Sequence, residues 1–177
     1  MQDEGIEFLT NYIKNNNVKQ ILEIGTAVGY SSIKMALINK NINITTIERD
    51  EVRYKEAIAN ITKMNLNNQI KCIKGDALEI ELNDKYDLIF IDAAKSQNIK
   101  FFEKYKCLLN KNGSIIVDNI YFHGVIYEDD SKLSRNVRGI KRKILEFIDY
   151  INSQTEYENK IYSKGDGIMV IKVKYEN

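Results

Sequence analysis

The chain has 177 residues, 44% of them hydrophobic and 29% charged, with a net charge of +1; this suits one soluble globular domain with its own core and excludes a disordered or membrane-spanning chain. No apolar run approaches the roughly eighteen residues of a membrane helix, and the start MQDEGIEF lacks the basic and apolar parts of a secretion signal, so a cytoplasmic location with no membrane partner is expected. The near-neutral charge does not advertise nucleic acid, and Cys72 and Cys107 have no metal-ligand spacing, reading as inert thiols in a reducing compartment.

EGIEFLTNYIKN places Ile6, Leu9, Tyr12 and Ile13 at helical spacing, and KQILEI then reads as a short buried strand. A glycine turn leads into a helix over SSIKMALINK and the strand NITTIE. DEVRYKEAIANITKMN is a helix with Asp50 as its N-cap, followed by the strand IKCIKG. YDLIFID is the most apolar strand; the helix QNIKFFEKYKCLL, a KNG turn and the strand SIIVDN come next. A long helix near Ser134 to Asn152 precedes YENKIY and IMVIKVKY, which flank SKGDG as a hairpin. Continuous Ile/Leu/Val strands alternating with crossover helices predict an α/β fold with a parallel sheet covered on both faces. No linker or repeat interrupts residues 1–177, so a single domain is expected.

A parallel sheet closed by an antiparallel hairpin resembles the Rossmann-like class I methyltransferases that use S-adenosylmethionine (SAM), whose mostly parallel sheet has seven strands. The turn LEIGTAVGYSS sits where an open α/β sheet takes its ligand, with Gly25 and Gly29 spaced G-x-x-x-G. It lacks both G-x-G-x-x-G and a following G-K-[ST], which disfavours a dinucleotide or a nucleoside triphosphate. SAM carries no phosphate and asks for a close backbone approach, acceptors for its ribose hydroxyls and acidic groups near its cationic centre. Glu23, Gly25, Thr26, Ala27, Gly29, Tyr30 and Ser31 are the expected cradle. Glu48, with Arg49 beside it, ends the second strand where a carboxylate accepts ribose hydroxyls; Asp76 and Ala77 follow the third strand, towards adenine. Against this stands a structural α/β domain whose glycine only turns and whose acids only cap.

The fourth and fifth strands end FIDAAK and VDN, so Asp92, Asp118 and Asn119 share one edge of the sheet. Three oxygen ligands without His or Cys suit a hard divalent cation, Mg²⁺ or Mn²⁺ rather than Zn²⁺. Spacing alone leaves this level with Asp92 facing a cationic cofactor and Asp118 with Asn119 capping a turn.

ILEIGTAVGYSS, ERD, GDALE, YDLIFIDAAK and IIVDN together resemble the cation-dependent O-methyltransferases of catechols and caffeoyl-coenzyme A. The resemblance implies that Asp92, Asp118 and Asn119 hold the metal, that Asp92 and Lys95 are catalytic, and that Lys95 takes the acceptor's proton. It further implies chelation of two adjacent substrate oxygens by the metal, which lowers the hydroxyl's pKa and aims it at the sulfonium methyl. Members of that family carry a helical segment ahead of the part matching DEGIEFL that helps to cover the site and to build a dimer; this sequence starts at that point, and a homodimer is what the resemblance implies.

DEGIEFL, EIGTAVGYSS, DNIYFHGV and RNVRG with its basic helix are similar to the bacterial tRNA 5-hydroxyuridine methyltransferases. That implies the wobble uridine of a tRNA anticodon stem-loop as acceptor and 5-methoxyuridine as product. The vicinal O4 and O5 of 5-hydroxyuridine suit a chelating cation as a catechol does. Lys132, Arg135, Arg138, Lys141, Arg142 and Lys143 form a stretch without acids, and three of the five arginines lie there. Arg135, Arg138, Lys141 and Arg142 are candidates for phosphate contacts, and His123 and Tyr121 for stacking on a base. The alternatives are a catechol-like small-molecule O-methyltransferase and a non-catalytic SAM-fold binding protein; the basic stretch separates the first, and Asp92, Lys95, Asp118 and Asn119 together argue against the second.

Overall fold

The computed structural model describes residues 3–174. In chain order it contains α1 (Asp3–Asn15), β1 (Gln20–Ile24), α2 (Tyr30–Ala36), β2 (Asn43–Glu48), α3 (Glu51–Lys63), β3 (Ile70–Lys74), β4 (Tyr86–Ile91), α4 (Asn98–Tyr105), β5 (Leu109–Val117), α5 (Arg135–Ser153), β6 (Tyr157–Tyr162) and β7 (Ile168–Val173). The seven strands form one sheet in the order β3-β2-β1-β4-β5-β7-β6. The first five are parallel, and β7 runs antiparallel to both β5 and β6. This is the expected α/β architecture with its terminal hairpin.

Side chains alternate across each strand, so one run of apolar residues feeds two cores. Ile21, Leu88, Phe90 and Ile116 point to the face covered by Ile6, Leu9 and Ile13 of α1, Met35 of α2 and Ile61 of α3. Leu22, Ile24, Ile89, Ile91, Ile115 and Val117 point to the opposite face, under Phe101 and Phe102 of α4 and Phe147 and Ile151 of α5. Each such fully buried side chain contributes about 1.5–3 kcal/mol. Asp50 caps α3 as predicted, its carboxylate accepting the Arg53 N–H at 2.9 Å, and Ser134 caps α5 through the Val137 N–H at 3.3 Å.

Two elements depart from the sequence-based expectation. α2 stops at Ala36 rather than continuing to Lys40; the Gln69 carboxamide nitrogen lies within hydrogen-bond distance of the carbonyls of Ala36, Asn39 and Ile42, and its two N–H groups, shared among them, satisfy the end of the helix from outside. Lys111, Asn112 and Gly113 lie inside β5 and are not a turn before it. Asn112 has φ 70°, and the register against β4 shifts between Tyr86 and Leu88, so the strand absorbs the polar residues as a bulge. No helix among the described residues is long and apolar enough to cross a membrane.

Candidate active site

The strand order reverses between β1 and β4, and the crevice opens there at the carboxyl ends of the strands. Hydrogen bonds continue past those ends: the Gly25 and Thr26 N–H groups donate to the Ile47 carbonyl, Asp92 N–H to Ile24, Asp118 N–H to Ile91 and Gly75 N–H to Glu48. The residues after the strands are therefore held as firmly as the strands. Gly25 has φ 101°, and a Cβ there would lie 2.3 Å from the Asp92 carbonyl oxygen. Only glycine lets the turn pass this close to the end of β4.

Over these ends lies a cavity of about 400 Å³, within the range of small-molecule sites. Gly25, Ala27, Glu48, Arg49, Asp76, Ala77 and Asp92 line it, as do Lys95 and Asn119. Glu48 is buried, and its two carboxylate oxygens accept the N–H groups of Ala27 and Asp50, each at 2.8 Å. Each oxygen keeps a lone pair for a ligand, and the carboxylate is fixed in orientation. Asp76 accepts the Leu78 N–H at 2.8 Å.

The remaining residues expected in the cradle do not line the cavity. The carboxylate of Glu23, fully buried, accepts hydrogen bonds from the hydroxyls of Ser31, Ser32 and Thr46, and the Thr46 hydroxyl pairs with that of Thr26 at 2.6 Å. Glu23 thus ties β1, β2, the glycine turn and the start of α2 together from beneath. Burial pushes its carboxyl up to about 7, against the opposing pull of the three hydroxyls. Gly29 sits at the α2 N-cap with φ 86°, and Tyr30 is largely exposed beside Lys34. Sequence reasoning missed Arg53, Gln97 and Phe101 among the lining residues. Phe101 belongs to the apolar stripe of α4 that reads only as core, and Arg53 gains its place by standing one turn into α3 above Glu48.

The adjacent ends of β4 and β5 bring Asp92, Lys95, Asp118 and Asn119 together. Lys95 Nζ lies 3.3 Å from Asp92 Oδ1 and donates to the Asp118 carbonyl at 3.0 Å, and the Asn119 carboxamide donates to Asp92 Oδ1 at 3.2 Å. Asp118 is 2% exposed and its Oδ2 has no hydrogen-bond partner. Burial, and after it the negative charge of Asp92, raise the Asp118 carboxyl to about 6 although Lys95 opposes the shift. Among the described residues, the carboxylates of Asp92 and Asp118 meet here beside the Lys95 ammonium, with the buried Asp118 Oδ2 lacking a hydrogen-bond partner, and that donor set fits a hard divalent cation. No group of three His, Cys, Asp or Glu placed to hold a metal ion occurs among the described residues; the further oxygen available at these strand ends is that of the Asn119 carboxamide.

The basic stretch divides in two. Lys141 donates to the Glu128 carbonyl and pairs with Asp130 at 2.8 Å, Lys143 pairs with Glu146 at 2.7 Å, and Arg142 lies 3.5 Å from Glu146. Acids on either side of the stretch, outside its sequence limits, supply those partners. Arg135 and Arg138 are exposed and make no ion pair among the described residues. They line a groove that reaches Ser96, the neighbour of Lys95, where α5 packs on the turn at 95–97. His123 is exposed, whereas Tyr121 is half-buried, its hydroxyl bonding that of Ser163 at 2.9 Å and its ring lying against Gly167.

The O-methyltransferase family model matches residues 1–174. A protein of Staphylococcus aureus assigned as a caffeoyl-CoA O-methyltransferase is 40% identical, and its crystal structure superposes with a TM-score of 0.94 over 98% of this chain and 85% of that one. The O-methyltransferase of Bacillus cereus, solved in complex with S-adenosylhomocysteine (SAH), is 28% identical with a TM-score of 0.84 over 98% of this chain and 82% of its own. An Arabidopsis thaliana protein assigned to the same caffeoyl-CoA activity is 33% identical over 172 residues, 94% of this chain and 74% of its own length.

Proposed function

The chain belongs to the O-methyltransferase family, and from that premise we propose that it transfers the methyl group of SAM to the 5-hydroxyl of 5-hydroxyuridine at the wobble position of a tRNA. SAM supplies an electrophilic methyl on a sulfonium, and a divalent cation, Mg²⁺ or Mn²⁺, supplies the Lewis acidity that acidifies a hydroxyl with a second oxygen beside it. The chain supplies the rest. Glu48 accepts the ribose hydroxyls, Asp76 and Ala77 flank the base, and Phe101 offers it an apolar face. Asp92, Asp118 and Asn119 hold the cation. Lys95, with Nζ 3.3 Å from Asp92 Oδ1 and 3.0 Å from the Asp118 carbonyl, stands where it would take the proton of the acceptor hydroxyl after passing its own to solvent.

The observation that carries the tRNA acceptor is the pair Arg135 and Arg138, exposed and without an ion pair among the described residues, on a groove that reaches Ser96 and where the acids Asp130 and Glu146 are engaged by Lys141, Lys143 and Arg142. A neutral phenol has no use for two free guanidiniums there, and a phosphate backbone does. The test is charge reversal. Arg135→Glu with Arg138→Glu is expected to lower kcat/KM for tRNA at least tenfold and flatten its salt dependence, while transfer to a catechol stays within twofold. Equal loss on both acceptors, or no loss on tRNA, removes the RNA reading.

A second reading has its own support: the Staphylococcus aureus and Arabidopsis thaliana relatives carry caffeoyl-CoA in their names, which favours a catechol-like phenol on a carrier. It uses the same catalytic residues; a phenol carried on coenzyme A brings phosphates that Arg135 and Arg138 would also meet, so transfer to tRNA set against transfer to caffeoyl-CoA, beside the catechol, separates the two.

A further inference from the structure

The segment that follows the candidate metal pair has an unusual backbone. Asn119 has φ 59°, and Phe122, His123 and Gly124 follow with φ 48°, 55° and 80°. Left-handed conformations occur singly in most chains, because a Cβ crowds the next carbonyl, and a run of three with only one glycine persists only where its surroundings over-determine it. The 163–167 turn between β6 and β7 provides those surroundings. Asp166, 7% exposed, accepts the His123 N–H on both carboxylate oxygens, at 2.7 and 2.9 Å. Its carbonyl accepts the Tyr121 N–H at 2.8 Å, and the Gly167 carbonyl accepts the Ile120 N–H at 3.0 Å. Gly167 lies against the Tyr121 ring so closely that a Cβ would fall 2.7 Å from it.

We propose that Asp166 is a positioning residue for the acceptor: it clamps the loop at 119–124 in its left-handed course and so fixes where Asn119, which lines the cavity, stands. Asp166 does not line the cofactor cavity; it acts through the His123 backbone N–H, with the His123 Nδ1 3.5 Å from its Oδ2. A carboxylate is suited to the task because one N–H falls between its two oxygens in a charge-assisted bond, stronger than a neutral pair makes. The clamp grips the loop on the side away from Glu48 and Asp76, so its loss is felt by the acceptor and not by the adenosine end of the cofactor. This rests on the methyl-transfer reading above.

The test uses the full chain with both acceptors, 5-hydroxyuridine tRNA and a catechol, and follows SAH binding by calorimetry. Asp166→Ala is expected to lower kcat/KM by about tenfold or more, the scale of one charge-assisted hydrogen bond, chiefly through the KM of whichever acceptor is used. SAH affinity is expected to stay within twofold. Asp166→Asn is expected to restore most of the loss, since its carboxamide oxygen still accepts the His123 N–H. Gly124→Ala provides a second perturbation that leaves the fold intact, because its Cβ would meet nothing within 4 Å while the backbone there remains left-handed; a several-fold rise in acceptor KM is expected. Unchanged acceptor kinetics in Asp166→Ala and Gly124→Ala overturn the proposal, as does an equal fall in SAH affinity. A wild-type chain that binds SAH and methylates neither acceptor refutes the underlying reading instead, and the clamp's proposed role falls with it.

Discussion

Glu23→Gln isolates the buried carboxyl beneath the glycine turn. In the folded chain burial holds that carboxyl at about 7, against 4.5 for an unstrained glutamate. The folded state therefore binds more protons than the unfolded state between these values, and stability falls as pH rises. Each unit is worth about 1.4 kcal/mol, so the full effect is about 3 kcal/mol, of which about 2–3 kcal/mol falls between pH 5 and pH 8. The contribution is fully present below pH 4.5 and gone once the pH has passed through 7. Glutamine has nearly the same shape and cannot ionise. Its amide nitrogen replaces an oxygen that accepts from Ser32 and Thr46, which costs about 1 kcal/mol at every pH as those hydroxyls reorient. Urea unfolding of both proteins at pH 5, 6, 7 and 8, with EDTA present, gives the comparison. Relative to wild type, Glu23→Gln is expected to gain about 2–3 kcal/mol on going from pH 5 to pH 8, so that a variant less stable in acid becomes the more stable one in base. A difference that does not vary with pH would refute the argument that Glu23 is buried at the expense of its charge.

Gly25→Ala is expected to destabilise the fold by about 2–4 kcal/mol, from the left-handed backbone and the collision with the Asp92 carbonyl, and to abolish SAH binding measured by calorimetry. Asp92→Ala is expected to leave SAH binding within tenfold while removing at least 99% of the methyl transfer stimulated by Mg²⁺ in a labelled-SAM assay, since it takes away one of two charged cation donors; retained metal-stimulated transfer would exclude the carboxylate pair as the cation site.

The strands were legible because parallel strands covered on both faces are written as unbroken Ile, Leu and Val, as in YDLIFID and SIIVDN, and their order put Asp92, Asp118 and Asn119 on one edge before any geometry was known. Asp50 was legible as a cap because the cap is a local device. What escaped was set by contacts distant in sequence. The end of α2 depends on Gln69, some thirty residues on, and the KNG of β5 looks like a turn until its bulge against β4 is seen. Glu23 looks ligand-facing from its place at the end of β1, and only packing shows three hydroxyls claiming its carboxylate. Lys141 looks free until Asp130 folds back on it. Asp166, in a turn that reads merely as SKGDG, shows its hold on His123 only when β7 lies beside β5.

The central claim is methyl transfer from SAM to one of two adjacent oxygens, on a tRNA. Its most direct test is transfer of labelled methyl from SAM to tRNA bearing 5-hydroxyuridine at the wobble position, beside a catechol, each with and without EDTA. Label entering the tRNA in preference to catechol and lost on chelation is the predicted result; label in catechol alone would contradict the acceptor, and EDTA-resistant transfer would contradict the cation.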